Sequence, residues 1–319
     1  MSDSLIVLAG ATGHLGGKIA ASLISRGASV RALVRKGSEP DRTQELRRQG
    51  ATIVDVDYNS RPDLTRACKG GSCVVSALSG LRDVVVDAQT RLLDAAVEAG
   101  IGRFIPSDYA IDFTKLPAGS NRNFDLRREF RERLDRAPIA ATSILNGMFM
   151  ELLVGPAPII LFKFKRVLYW ENPDQLLDFT TIDNTAAFTA AAALDQSTPR
   201  FLRIAGDVQS ARGLAGIASD VTGDRFRTFR GGGLRRLGAL IAIMRALTSK
   251  SDAVFPPWQG MQYLHNMFEG RAKLTPLDND RYPDTRWTKV RDILQQARRK
   301  TPVSDGIETV VVAESRGLL

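Results

Sequence analysis

Leu5-Ile-Val-Leu-Ala-Gly-Ala-Thr-Gly-His-Leu-Gly-Gly17 is the stretch on which the reading of the whole chain turns. Leu5 to Ala9 is an unbroken apolar run, as in a strand buried on both faces. Glycines follow at Gly10, Gly13 and Gly16, and then Leu15, Ile19, Leu23 and Ile24 recur at helical spacing. The pattern predicts strand, glycine turn, helix. Gly10 permits a tight turn, Gly13 lets a pyrophosphate approach the backbone, and Gly16 lets the helix pack against the strand. Thr12, His14 and Leu15 complete the loop, and the helix N-terminus offers unpaired N–H groups to phosphate. Ser29 to Val34 reads as a second strand, closing a βαβ unit of the expected length.

The end of that second strand carries the choice of cofactor. A site for NAD places Asp or Glu about 20 residues beyond the glycines, where it holds the ribose hydroxyls. This chain has Arg35 and Lys36 there. Two cations pair with a 2′-phosphate, Arg35 through its planar fork, so the expected cofactor is NADP(H).

Working outward, strands and helices alternate. Helices are expected over Asp41 to Gln49, Pro62 to Ala67, Asp83 to Ala99 and Asn121 to Arg136, with strands at Thr52 to Val56, Cys73 to Ala77, Arg103 to Pro106 and Ala141 to Leu145. That alternation predicts an α/β fold, a Rossmann-type doubly wound parallel sheet. Ligands of such sheets bind beyond the carboxyl ends of the strands, which selects Gly10 to Gly16, Arg35, Asp57, Ser76 to Ser79, Ser107 to Tyr109 and Asn146 to Phe149. Residues 1–150 are expected to form the NADP-binding domain. Residues 151–319 are expected to form a smaller α+β substrate or lid region, with some segments returning to the first domain. In that second part Leu234 to Leu247 is an amphipathic helix preceded by Gly231-Gly-Gly233, read as a lid or core helix rather than a membrane-surface one.

Composition narrows the function classes. No apolar stretch reaches the ~18 residues of a membrane span, and Met1 to Ser4 leaves no room for a signal peptide, so a cytoplasmic location is expected. Cys68 and Cys73 read as free buried thiols. With only His14 and His265 for histidines, no metal site or serine–histidine triad is expected. The net charge of +9 is spread along helices among acidic residues, without a nucleic-acid-binding signature. The expected partner is a small-molecule substrate, not nucleic acid or a membrane; no oligomeric state is specified.

Several stretches together carry a family resemblance. Gly10-Ala-Thr-Gly-His-Leu-Gly16, Val30-Arg-Ala-Leu-Val-Arg35, Arg103-Phe-Ile-Pro-Ser-Asp-Tyr109, Phe149-Met-Glu151, Phe179-Thr-Thr-Ile-Asp183 and Asp278-Asn-Asp-Arg-Tyr-Pro283 resemble the NmrA-like and isoflavone-reductase-like group of atypical short-chain dehydrogenases. The resemblance implies a Rossmann domain binding NADP(H) and a small C-terminal domain closing over the nicotinamide. It places Arg35 on the 2′-phosphate, Asp57 near the adenine, Ser76, Ala77 and Leu78 along the cofactor, and Asn146, Met148 and Phe149 on the substrate side. Trp258 is expected to add to the apolar pocket.

The chain departs from the wider superfamily in lacking a tyrosine followed four residues later by lysine. Reductases of the resembled group use instead a lysine in a Phe-x-x-Lys stretch, which here reads Phe124-Asp-Leu-Arg127. Arginine stays protonated, so Arg127 can orient an oxygen or stabilise negative charge but is a poor proton donor. Tyr109, Lys115 or a bound water would then deliver the proton. Tyr109 reads equally as a packed aromatic, and Lys115 reads first as a surface lysine. Two functions stay open: a reductase of a small aromatic or quinone-like carbonyl or activated double bond, or a non-catalytic NADP(H) sensor of the NmrA type, which would signal to a protein partner.

Overall fold

The computed structural model describes residues 4–155, 157–248 and 253–300; residues 301–319 of the expected second domain lie outside them. Strand β1 (Leu5–Ala9) is the centre of a six-stranded parallel sheet ordered β3-β2-β1-β4-β5-β6, with β2 at Ser29–Arg35, β3 at Thr52–Val56, β4 at Cys73–Ser76, β5 at Arg103–Ile105 and β6 at Ala140–Ala141. The apolar runs explain this centrality. Ile6 to Ala9 and Val74 to Ser76 are buried completely because both faces of the sheet are covered. The order reverses between β1 and β4, the switch point at which such sheets open a crevice.

On one face α1 (His14–Ser25) buries Gly16, Ile19, Ala20 and Leu23, the stripe expected from their spacing. The opposite face carries α3 (Arg61–Cys68), α4 (Gln89–Glu98) and α5 (Arg122–Leu134), whose Leu64, Leu92 and Phe130 share one core with Val7 and Val74. The expected helix from Asp83 begins instead as a π-helical turn, Asp83–Ala88. Its widened ladder leads into Gln89, fully buried, whose side chain accepts from the Ser107 N–H at 3.0 Å.

The second half does not stay apart. Helix α6 (Ile182–Leu194) is rich in alanine and buried almost all round, so it lies close against α1, and Lys18 pairs with Asp183 across the contact at 2.5 Å. Strand β7 (Ser143–Leu145) follows β6 and pairs in parallel with β12 (Phe201–Arg203) as a two-stranded sheet of its own. The segment from Ile182 to Arg203 thus returns to the first layer.

The remaining elements build a separate core around Phe113, Phe124, Phe179, Leu214 and Phe268. Its strands are β8 (Met148–Phe149) with β11 (Leu177–Thr180) and β13 (Asp207–Gln209), and β9 (Ile160–Leu161) with β10 (Arg166–Trp170) and β14 (Arg227–Gly232). The sequence marks strands at Val167 to Trp170 and Leu177 to Thr181, close to β10 and β11, while the partners beside them escape it. Helices α7 (Ala211–Thr222), α8 (Leu234–Leu247), α9 (Pro257–Glu269) and α10 (Val290–Lys300) cover them. Among the described residues no helix is long and apolar enough to cross a membrane. Cys68 and Cys73 are both free and buried, and burial pushes each thiol up to about 12. A thiol-alkylating reagent is therefore expected to label neither in the folded protein at neutral pH, with labelling appearing only in denaturant.

Candidate functional site

The tips of β1, β4, β5 and β7 converge on one cradle. Gly10 stands at φ +79°, and a Cβ on it would lie 2.5 Å from the Ala77 carbonyl oxygen. A Cβ on Gly16 would lie 2.0 Å from the Gly10 carbonyl oxygen, and one on Gly13 would lie 3.3 Å from the same atom. The Gly13 N–H donates to that carbonyl at 3.0 Å, closing the turn. Gly10 and Gly16 can carry no side chain in this geometry, and one at Gly13 would be tight. Helix α1 then starts at His14 with no side-chain cap and no acidic residue in its first turn, so its positive end is available to an anion. Gly13 and His14 are exposed, while Thr12 and Leu15 are half-buried.

Arg35 and Lys36 emerge into solvent at the tip of β2, and Asp57 follows Val56, the register partner of Arg35. The Asp57 carboxylate accepts from the Asn59 N–H at 2.8 Å, which fixes the loop. A third cation joins them from α2 (Pro40–Gln49): Arg42 donates to the Thr12 carbonyl at 3.2 Å. Sequence reading missed Arg42 because it reaches back to the glycine loop across 30 residues. Beyond β4, Ser76 is fully buried with no partner for its hydroxyl, and Ala77 and Leu78 are half-buried beside Gly10.

At the far side of the crevice Arg127 is half-buried, donating from Nε to the Ser107 carbonyl at 3.2 Å and from Nη1 to the Asn123 carbonyl at 3.3 Å. Beneath it Asp108 is buried, and burial raises its carboxyl above the usual range even though Ser143 donates to it at 2.7 Å. Arg200 in turn holds the Ser143 hydroxyl at 2.7 Å. At the end of β7 the backbone N–H groups of Asn146 and Gly147 both donate to the Ala110 carbonyl, at 2.9 and 3.1 Å. Gly147 stands at φ +69°, pressed so closely on β11 that a Cβ would lie 2.3 Å from the Asp178 carbonyl oxygen. That bend buries Asn146 completely and leaves both its amide oxygen and its amide nitrogen without a hydrogen-bond partner among the described residues. After it Met148 packs on the core of Phe113 and Phe179 and Phe149 on the layer of Ile19 and Phe188, so the two residues join different cores.

Three expected site residues fall elsewhere. Tyr109 is buried in the layer shared with Ile19, Phe188 and Ile204, and burial raises its hydroxyl well above the ordinary range. The hydroxyl faces Thr189, which donates to its own helix at 2.7 Å, and makes no hydrogen bond of good geometry. Tyr109 is a core aromatic. Lys115 is exposed and donates to the Lys273 carbonyl at 2.7 Å, with Asp112 at 3.4 Å. It ties the β5–α5 connection to the loop after α9, where Asp112 also meets Arg203 at 2.9 Å. Trp258 is buried between Arg122 and Arg245, whose guanidinium carbons lie 4.8 and 5.5 Å from the centre of its ring. Its surroundings are those of a clamp joining α8, α9 and α5.

Two surface grooves lie away from the strand tips, one of ≈ 390 Å³ lined by Arg61, Arg133 and Arg136 and one of ≈ 330 Å³ lined by Arg82, Arg122 and Arg245. Neither includes a glycine of the α1 turn. The cradle residues, by contrast, suit a phosphate-bearing dinucleotide. Gly10 and Gly16 accept no Cβ, the helix end has no side-chain cap, and buried polar atoms at Ser76 and Asn146 find no partner among the described residues.

Comparison with known proteins agrees with this architecture. The chain is 28 % identical over 208 residues to pinoresinol reductase 1 of Arabidopsis thaliana, a match spanning 60 % of this chain and 65 % of that protein. A solved structure described as AtPrR2 with NADP+ and (+)pinoresinol superposes with a TM-score of 0.78 at 21 % identity, covering 93 % of this chain and 99 % of the other. The NADPH-dependent quinone oxidoreductase QOR2 of Escherichia coli, complexed with NADPH, gives 0.72 at 18 % identity, covering 91 % and 99 %. Because the model of the NmrA-like family matches residues 2–232, across the glycine turn, the sheet and the strand-tip crevice, the chain belongs to the NmrA-like family.

Proposed function

We propose that the chain is an NADPH-dependent reductase acting on a carbonyl or activated double bond of a small aromatic or quinone-like substrate, in the cytoplasm. The observation that carries this reading is Asn146. A fully buried amide with both polar atoms unpartnered costs stability, and its place at a strand tip beside the glycine cradle suits a group that a ligand completes. The names of the relatives fit the same reading, since they include a pinoresinol reductase and an NADPH-dependent quinone oxidoreductase.

Gly10, Gly13 and Gly16 would admit the pyrophosphate, with Arg35, Lys36 and Arg42 around the 2′-phosphate, Asp57 beside the adenosine, and Ser76, Ala77 and Leu78 along the middle. When bound, the dinucleotide supplies the hydride. The chain's own part is to orient the acceptor. The Asn146 amide N–H can hydrogen-bond an oxygen that gains charge, and the permanently charged Arg127 adds a positive field without giving up a proton. Since Tyr109 is buried and Lys115 is held by Lys273, water is left to supply the proton. Met148 and Phe149 wall the substrate side.

Arg35→Asp is expected to weaken NADPH binding by about ten- to a hundredfold, roughly 1.4 to 2.8 kcal/mol, while sparing NADH; calorimetry with each dinucleotide measures it. Equal losses for both would remove the 2′-phosphate assignment. Turnover itself is tested by the decay of reduced-nicotinamide absorbance across a panel of quinones, aryl aldehydes and lignan-like ethers. One observation favours the sensor instead. Arg127 stands where a donor lysine is expected, and two of its N–H groups are committed to backbone carbonyls. Binding without turnover on the whole panel, with turnover gained in Arg127→Lys, would mark a site shaped for reduction but lacking its proton donor. Binding without turnover in both would establish the sensor.

A further inference from the structure

Two of the largest exposed apolar side chains lie on the three-stranded sheet of the second core. Phe164 is 66 % exposed in the turn between β9 and β10, and Phe229 is 51 % exposed on β14, an edge strand. The segments that carry them adjoin. β14 runs parallel to β10 with Arg227 opposite Arg166 and Phe229 opposite Leu168, and the Arg227 N–H donates to the Lys165 carbonyl at 3.1 Å.

Cations surround both rings. Lys163, Lys165, Arg227 and Arg230 are all exposed. Lys165 is paired with Asp224 at 2.7 Å and Arg230 with Glu171 at 3.8 Å, while Lys163 and Arg227 have no carboxylate partner among the described residues. An aromatic ring between lysines at a turn, next to a sheet edge bearing arginines and a second ring, combines positive charge with apolar surface.

We propose that this face docks on an anionic lipid surface, Phe164 and Phe229 entering the headgroup region while Lys163 and Arg227 meet the lipid phosphates and carboxylates. Charge decides the occupant. A two-fold interface with a second copy would set this cationic patch against an identical cationic patch. Single-stranded nucleic acid is tracked by a positively charged groove, whereas these residues form a turn and a strand edge. A negatively charged bilayer satisfies both components at once, through screened attraction to each lysine and arginine and burial of the rings at the interface. The contact is with a surface and involves no spanning helix, and it departs from the sequence expectation that no membrane is a partner.

The test is co-sedimentation of the full chain with vesicles of phosphatidylcholine alone or with roughly one-third phosphatidylserine, at low and high salt. Sedimentation is expected with the anionic vesicles only and is expected to fade as salt rises. The double variant Lys163→Glu, Arg227→Glu is expected to lower the partition coefficient by about tenfold or more. Phe164→Ala is expected to lower it while leaving its salt dependence intact. All three side chains are exposed, so the melting temperature and NADPH binding should not move, and the outcome is independent of whether the chain is a reductase. Absence of sedimentation on anionic vesicles, equal sedimentation on neutral ones, or tighter binding to a single-stranded oligonucleotide or to a second copy through the same residues would overturn the proposal.

Discussion

Gly16→Ala is expected to abolish measurable dinucleotide binding and to destabilise the fold by roughly 3 kcal/mol. The added Cβ would sit 2.0 Å from the Gly10 carbonyl oxygen and 3.0 Å from the Ala11 Cα, both backbone atoms that no rotamer change can move. Helix α1 must retreat from β1, and the turn that carries Gly10 and Gly13 must open with it. The neighbouring position provides the control. A Cβ on Gly17 meets only the Ala11 carbonyl oxygen, at 3.4 Å, which is ordinary contact. Gly17→Ala is therefore expected to keep binding and to gain up to about 1 kcal/mol from helix propensity. Calorimetry and thermal melts on the two variants measure the contrast; a Gly16→Ala protein that binds as tightly as the parent would end the phosphate-cradle assignment.

The second large effect is expected at Asn146, with opposite signs in two measurements. Asn146→Leu keeps the branched shape of the side chain, in a larger volume, while removing two buried polar atoms that have no partner among the described residues. The ligand-free protein is then expected to become more stable by about 1 to 2 kcal/mol, because no internal hydrogen bond is lost. Turnover, if Asn146 holds the acceptor, should fall by about a hundredfold, as on removing one donor to a developing oxyanion. A purely structural asparagine would give the reverse pattern, a destabilised protein whose activity per folded molecule is unchanged. Chemical denaturation of the ligand-free form alongside steady-state kinetics separates the two.

Arg127 illustrates how far residue type carries an argument. Its permanent charge is legible from sequence, and so is its place one helical turn beyond Asn123. That its guanidinium bridges the Ser107 and Asn123 carbonyls, capping the β5 tip against α5, is not. Tyr109 and Lys115 show the limit from the other side. Both follow the fifth strand, and both were reasonable proton donors by that count. Sequence position places a residue at the open end of a sheet, but not which way the chain turns after leaving it. Here Ser107 to Asp112 is buried throughout, so Tyr109 is directed into the layer against α6 rather than into the crevice.

By itself the sequence determined the elements whose causes are local: the apolar runs of β1 and β4, the glycines of the α1 turn, the helical stripes of α1 and α5, and the cations ending β2. Each follows from conformational freedom, periodicity or charge within a few residues, and together they require a parallel sheet with an anion-binding turn at its switch point. Tertiary structure alone decided what depends on partners distant along the chain. It brought the alanine-rich α6 back onto α1, moved Arg42 up to the glycine loop, buried Tyr109, and left the Asn146 amide without a mate. These outcomes hinge on which faces meet when separate layers close, a matter of packing volume and hydrogen-bond satisfaction across the fold that no window of neighbouring residues contains.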